Sequence, residues 1–366
     1  MRTVQTNALQ VRDRRWVKSL VVVLFVVVGL VVVDAPVYAT QAPSKSIIFG
    51  TTGDGPYAIV VDAAGNIYTT NYHSDNVSKI TRAGVSTILG TTGETPFGIA
   101  VDAAGNIYTA NSESDNVSKI TPAGVSRILG KTGRNPYGIV MDAAGNVYTT
   151  NRYDHSVSKI TRAGVSTIYS QWTDEPGIGM PHGIVMDAAG NVYTAREVRE
   201  DVSKITPDGV STILGKTGWR PIEIVVDAAG NIYTANQKSN DVSKITPDGV
   251  STILGTTGET PWGIAVDAAG NIYTANFDSN NVSKITPDGV STILGKTGKG
   301  PIGIAVDAAG NVYTANFTSD NVSKIAPTPS TQQPGVKKTT ITCKNGKIVK
   351  KVTALKPVCP KGYKKA

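Results

Sequence analysis

The chain has 366 residues and a formal net charge of +8, with 40% hydrophobic and 17% charged residues. That balance excludes a disordered chain, and 38 Gly beside many Val, Ile, Thr and Tyr argue against a helical bundle. With two Cys and three His, a Cys/His zinc module has almost nothing to build on.

At the N-terminus, basic residues up to Lys18 precede the apolar run Leu20–Val33, and Val37-Tyr38-Ala39 offers small residues for cleavage. These are the parts of a secretory signal, expected over residues 1–39. The run would make about 21 Å of helix, short of a hydrocarbon core of ~30 Å. The alternative is an uncleaved signal anchor. Either way the expected location is extracellular or at the cell envelope. Charge divides along the chain: +3 in residues 1–39, +10 in residues 326–366, and −5 between them.

The body is a repeat. Asp-Ala-Ala-Gly-Asn starts at Asp62, Asp102, Asp142, Asp187, Asp227, Asp267 and Asp307, at steps of 40 except for one of 45 between Asp142 and Asp187. Each unit holds four β-prone runs bounded by Gly, Asn, Asp or Pro, as in Gly98–Val101, Asn106–Ala110, Val117–Thr121 and Val125–Leu129. Seven four-stranded units of about 40 residues specify an all-β fold, a seven-bladed β-propeller over residues 46–325. The seventh unit stops at Ile325 without its fourth strand, while Ser46–Gly53 matches Ser86–Gly93, the fourth strand and loop of a complete unit. The N-terminal strand is therefore expected to complete the last blade and close the ring.

Units such as Gly303–Asp307, Gly310–Tyr313 and Asn321–Ile325 resemble NHL repeats, and they are similar to the repeats of streptogramin (virginiamycin B) lyases and of extracellular propeller sensor domains. The resemblance covers residues 46–325 and implies the fold; those families include binders as well as a few enzymes. For catalysis of the lyase kind it implies a His in a Pro-His-Gly setting, with a Glu and another His on the rim. Pro181-His182-Gly183 matches the first element, but Arg196 stands where the Glu is expected, with Glu197 one residue on and no second His following. Calcium-dependent lactonase propellers need converging carboxylates and Asn, and no second strand here ends in the required acid.

The Asp-Ala-Ala-Gly-Asn turns are identical in all copies, which fits turn closure better than a ring of metal ligands. The opposite face carries the second-to-third loops and the blade connections, and there the copies diverge. The residues just before its first strands, Tyr57, Phe97, Tyr137, His182, Ile222, Trp262 and Ile302, are expected around the channel mouth. Binding chemistry concentrates on loops held by a rigid scaffold. The Asn that ends most second strands either forms a polar ring there or caps its own loop.

Blade four, with its five-residue excess, gathers the candidate ligand-binding residues Trp172, His182, Arg196 and Glu197; the next blades add Trp219, Arg220, Glu223 and Trp262. Aromatic and guanidinium groups suit a sugar, peptide or carboxylate. The expected function is a non-catalytic propeller that binds a small molecule, glycan or protein through this face. The alternative is a streptogramin-lyase-like or lactonase-like enzyme acting on a cyclic ester, centred on His182 and Glu197. No cofactor and no metal is expected, and a monomer is.

Residues 326–336 read as a Pro/Thr/Ser/Gln linker. Residues 337–366 form a Lys-rich module in which Asn345-Gly346 between β-prone runs signals a hairpin. Its two cysteines, Cys343 and Cys359, are expected to pair in an oxidising compartment. The module resembles Lys-rich Cys-pair tails of secreted actinobacterial proteins. Ten Lys and no acid suit loose attraction to an anionic cell-wall polymer or membrane surface. No motif for specific nucleic-acid recognition is present.

Overall fold

A computed structural model describes residues 44–172, 179–327, 339–345, 348–354 and 358–365. The expected signal segment 1–39, most of the expected linker and residues 173–178 of the blade-four excess lie outside the described residues.

Among the described residues, seven four-stranded antiparallel sheets follow the repeat. The first comprises Pro56–Val61, Ile67–Asn71, Asn76–Ile80 and Ser86–Thr91. The seventh comprises Pro301–Val306, Val312–Asn316 and Asn321–Ile325, completed by Ser46–Thr51, which pairs antiparallel with Asn321–Ile325. The chain thus closes through its N-terminal strand, as the truncated seventh unit predicts.

Second strands such as Ile67–Asn71 are buried along their whole length because a sheet lies on either side. Their residues alternate between the two neighbours. Ile59, Ile67 and Ile80 of the first sheet pack on Tyr313, Ala315 and Val322 of the seventh. Tyr68 and Val77 of the first pack on Ile107 and Ile120 of the second. The same contacts recur between other neighbouring sheets, and the contact of the first sheet with the seventh makes the ring complete. Burying each Ile is worth about 1.5–3 kcal/mol.

First strands line the axis and approach one another closely. A Cβ on Gly98 would stand 2.5 Å from the carbonyl oxygen of Tyr137 in the next blade. The Asp-Ala-Ala-Gly-Asn turn closes on its Asp. Asp62 Oδ1 accepts from the amides of Ala64 and Asn66 at 2.9 and 2.8 Å, and Oδ2 accepts from Asn66 Nδ2 and Tyr68 Oη at 2.9 and 3.0 Å. Gly65 holds φ at +82°, the left-handed conformation this turn needs. Burial alone would raise the Asp62 carboxyl, but these hydrogen bonds outweigh it and hold the group below its ordinary range. Both oxygens are spent inside the turn, as turn closure requires.

The C-terminal module forms a three-stranded sheet in which Thr339–Asn345 lies between Ile348–Ala354 and Lys364–Lys365. Cys343 and Cys359 are joined by a disulfide.

Candidate functional site

Two repeat positions build the loop-rich face. One is the second residue of each first strand, giving Tyr57, Phe97, Tyr137, His182, Ile222, Trp262 and Ile302. The other follows the last residue of each second strand, giving Tyr72, Ser112, Arg152, Glu197, Gln237, Phe277 and Phe317.

Set side by side, these positions divide the face into two sectors. On one, Tyr57, Tyr137 and Ile302 are buried against Tyr72, Phe97, Trp262, Phe277 and Phe317. Tyr57 reaches across the axis: its ring packs edge-on against Phe97, Tyr137, Trp262 and Phe317, and its hydroxyl is hydrogen-bonded to that of Tyr137. Burial, and then the charge of Glu223, push the Tyr57 hydroxyl well above its ordinary value. The aromatic residues expected around the channel mouth thus form a plug across it.

The other sector is charged. Glu197, 7% exposed, accepts from Arg220 Nε at 2.6 Å on Oε1 and from an Arg152 terminal nitrogen at 2.8 Å on Oε2. His182 Nε2 lies 3.3 Å from the same Oε2. Two consecutive blades and the connection to the next are therefore clasped through one carboxylate. Burial would raise the Glu197 carboxyl, but His182 and the two guanidinium charges pull it well below the usual range. His182 is 3% exposed, beneath the Tyr137 ring at a centroid separation of 3.9 Å. Burial lowers its pKa against the opposing pull of Glu197, so the imidazole is neutral near pH 7. Arg220 holds φ at +62° in the blade connection, a conformation that Gly55 and Gly300 supply in two other blades.

Three buried polar atoms in this sector have no partner: Arg152 Nε, His182 Nδ1 and Gln237 Oε1. Such orphans are uncommon in folded proteins.

The candidate residues divide accordingly. His182, Glu197 and Arg220 come together, with the Trp262 ring 6.5 Å from His182. Glu223 lies lower, on the wall of the axial cavity. Trp172 and Arg196 form a separate cluster. Arg196, 4% exposed, donates from Nε to Asp201 Oδ1 at 2.7 Å and lies over the Trp172 ring at 5.8 Å. Trp172 Nε1 donates to Ser211 Oγ at 3.0 Å. Arg196 stands where the other blades use Asn: Asn236 Nδ2 donates to Asp241 and Ser243 at 2.6 and 2.8 Å. Trp219 is 60% exposed, and the described contacts of its residue run through its backbone.

The Asn residues are fully buried within their own blades, so they cap loops and form no ring at the channel. His155 has a similar structural task. Its Nδ1 accepts from the amide of Met180 in the next blade at 3.0 Å, as Asp75 and Asn240 accept from Thr95 and Thr260. His73 packs against Tyr72 and Phe317 on the aromatic sector. Sequence reasoning missed Arg152. The available signal was its repeat position, the same as that of Glu197 in the adjacent blade.

Fold and site together define a closed β-propeller with one loop face split into aromatic and charged halves. The chain belongs to the virginiamycin B lyase family, whose model matches residues 38–283. Among solved structures, a streptogramin B lyase is similar at 17% identity and a TM-score of 0.67, covering 77% of this chain and 97% of that one. A catalytically inactive variant of virginiamycin B lyase from Staphylococcus aureus, with quinupristin, is 18% identical, with a TM-score of 0.68 and coverage of 78% and 99%. Hydrazine synthase from Kuenenia stuttgartiensis is also 18% identical, with a TM-score of 0.64 and coverage of 80% and 99%. At these identities the likeness concerns the fold alone. A search of curated proteins finds no match.

Proposed function

We propose that this chain is an exported, non-catalytic propeller that binds a ligand through its loop-rich face, with an anionic group on the charged sector and an apolar body on the aromatic one. The observation that carries this reading is the buried donor Arg152 Nε, which has no partner, while the unpartnered acceptors His182 Nδ1 and Gln237 Oε1 suit donor groups on the same ligand. Two guanidinium groups against one carboxylate leave the sector net positive, so a peptide or other molecule bearing a carboxylate suits it. The Lys-rich module is read as a loose attachment to anionic wall polymer or membrane.

Calorimetric titration with N-acetyl-tryptophan and with its amide tests the charged sector. The carboxylate is expected to bind about tenfold more tightly than the amide, and Arg220→Met is expected to remove the difference. Equal binding of the two probes, or binding of neither, would overturn the assignment.

A second reading rests on the 3.3 Å approach of His182 to Glu197. It makes His182 Nδ1 a ring-opening base oriented by the carboxylate, as family membership invites. Against it, Nδ1 is buried, the carboxylate is held by two Arg, and no second His joins the sector: His155 is engaged with Met180, and His73 lies on the other half.

A further inference from the structure

On the axis, walled in part by the plug residues Tyr57, Tyr137 and Trp262, lies a half-open pocket of about 150 Å³. Six isoleucines at one repeat position line it: Ile59, Ile99, Ile139, Ile184, Ile264 and Ile304. Trp262, Tyr57 and Tyr137 also face it. A pocket of this volume accommodates a molecule about as large as benzene, and its lining offers polar and apolar surface alike. One wall residue breaks the pattern. Where the other six blades carry Gly or Ala, as at Ala58, Gly138 and Gly263, the fifth carries Glu223.

The close approach of first strands explains the small residues, and packing would be satisfied by a seventh. Glu223 instead fits its carboxylate against Gly183, where a Cβ would come within 2.7 Å of Oε2. Among the described residues no Lys, Arg or His lines this cavity, and no side chain donates a hydrogen bond to Glu223. The neighbouring backbone amide of Ile224 favours its charged form against the effect of burial. The charged and titratable groups facing the carboxylate are Tyr57, whose hydroxyl feels its charge, and Tyr137, bonded to Tyr57. A half-buried carboxylate that no cationic side chain meets is left to be paired by a cation from solvent. Aromatic rings beside it add the quadrupole attraction that favours cations.

We propose that the axial cavity binds a small organic cation, an alkyl- or aryl-ammonium ion, with its charge paired to Glu223 and its body packed among the isoleucines and the rings of Tyr57, Tyr137 and Trp262. This site lies apart from the charged sector of the rim and shares the rings of Tyr57, Tyr137 and Trp262 with the aromatic one. Burial raises the Glu223 carboxyl to about 7, so cation binding is coupled to loss of its proton. Affinity should then fall about tenfold from pH 8 to pH 6.

The test is calorimetric titration of the full chain at pH 8 with benzylammonium and with neutral benzyl alcohol. Benzylammonium should bind one per chain and about tenfold more tightly than the alcohol. Glu223→Gln, confirmed as folded by its denaturant transition, should lose that preference and the pH dependence. Equal affinity for the two probes, no binding of benzylammonium, or an unchanged preference in Glu223→Gln would each overturn the proposal.

Discussion

Replacing Glu197 by Gln should lower the unfolding free energy by about 2–3 kcal/mol at pH 7, measured by urea denaturation. Removing one partner of a buried ion pair leaves the others uncompensated, a loss of about 3–5 kcal/mol when all are buried. Arg152 and Arg220 keep 25% and 35% of their side chains exposed, so water moderates the penalty. The effect should depend on pH in one direction. The folded protein holds the Glu197 carboxyl below its ordinary range, so it binds that proton less readily than the unfolded chain does. The contribution is therefore fully present above the ordinary glutamate range and is lost as pH falls through that range towards the folded value. Wild type and variant should converge in acid. A double-mutant cycle with Arg220→Met should return a coupling of about 1–2 kcal/mol; additivity would show that the Glu197–Arg220 pair contributes nothing to stability.

Glu223→Gln should act in the opposite direction. The folded carboxyl titrates at about 7, above its value of 4.5 in the unfolded chain, because burial disfavours its charge. The folded state therefore holds the proton more tightly. The resulting stability is complete below 4.5, declines as pH rises through the interval, and is gone above 7. Glutamine carries no such cost. Without an added cation, the variant should gain about 1–3 kcal/mol over wild type at pH 8, shrinking towards zero at pH 4.5. A constant difference across that range would place the carboxylate in contact with water or a positive charge.

The architecture was legible because repetition exposes its own grammar. A period of 40, the missing fourth strand after Ile325 and its copy at Ser46–Thr51 define ring closure without reference to any contact. The site was legible in part. His182, Glu197 and Arg220 stood out as departures from the repeat, and they do meet. Arg196 departs from the repeat just as clearly, yet it replaces an internal Asn clamp and stacks on Trp172. Departure from a repeat marks a changed contact; it does not tell whether the new side chain turns to a ligand or to its own blade. Arg152 was passed over because a guanidinium reaches one blade further than its position implies, joining residues 45 apart. Glu223 was placed with the rim, although the strand carries it one residue deeper, below the plug formed by Tyr57 and its neighbours.

With Glu197 as a clasp and His182 as a buried neutral imidazole, the proposed binding by the loop-rich face needs no chemistry. Incubating the purified chain with quinupristin at pH 7.5, and separating cyclic from opened peptide by chromatography, tests this most directly. The peptide is expected to remain cyclic with wild type and His182→Ala alike. Opened peptide that forms with wild type and is lost in His182→Ala would contradict it.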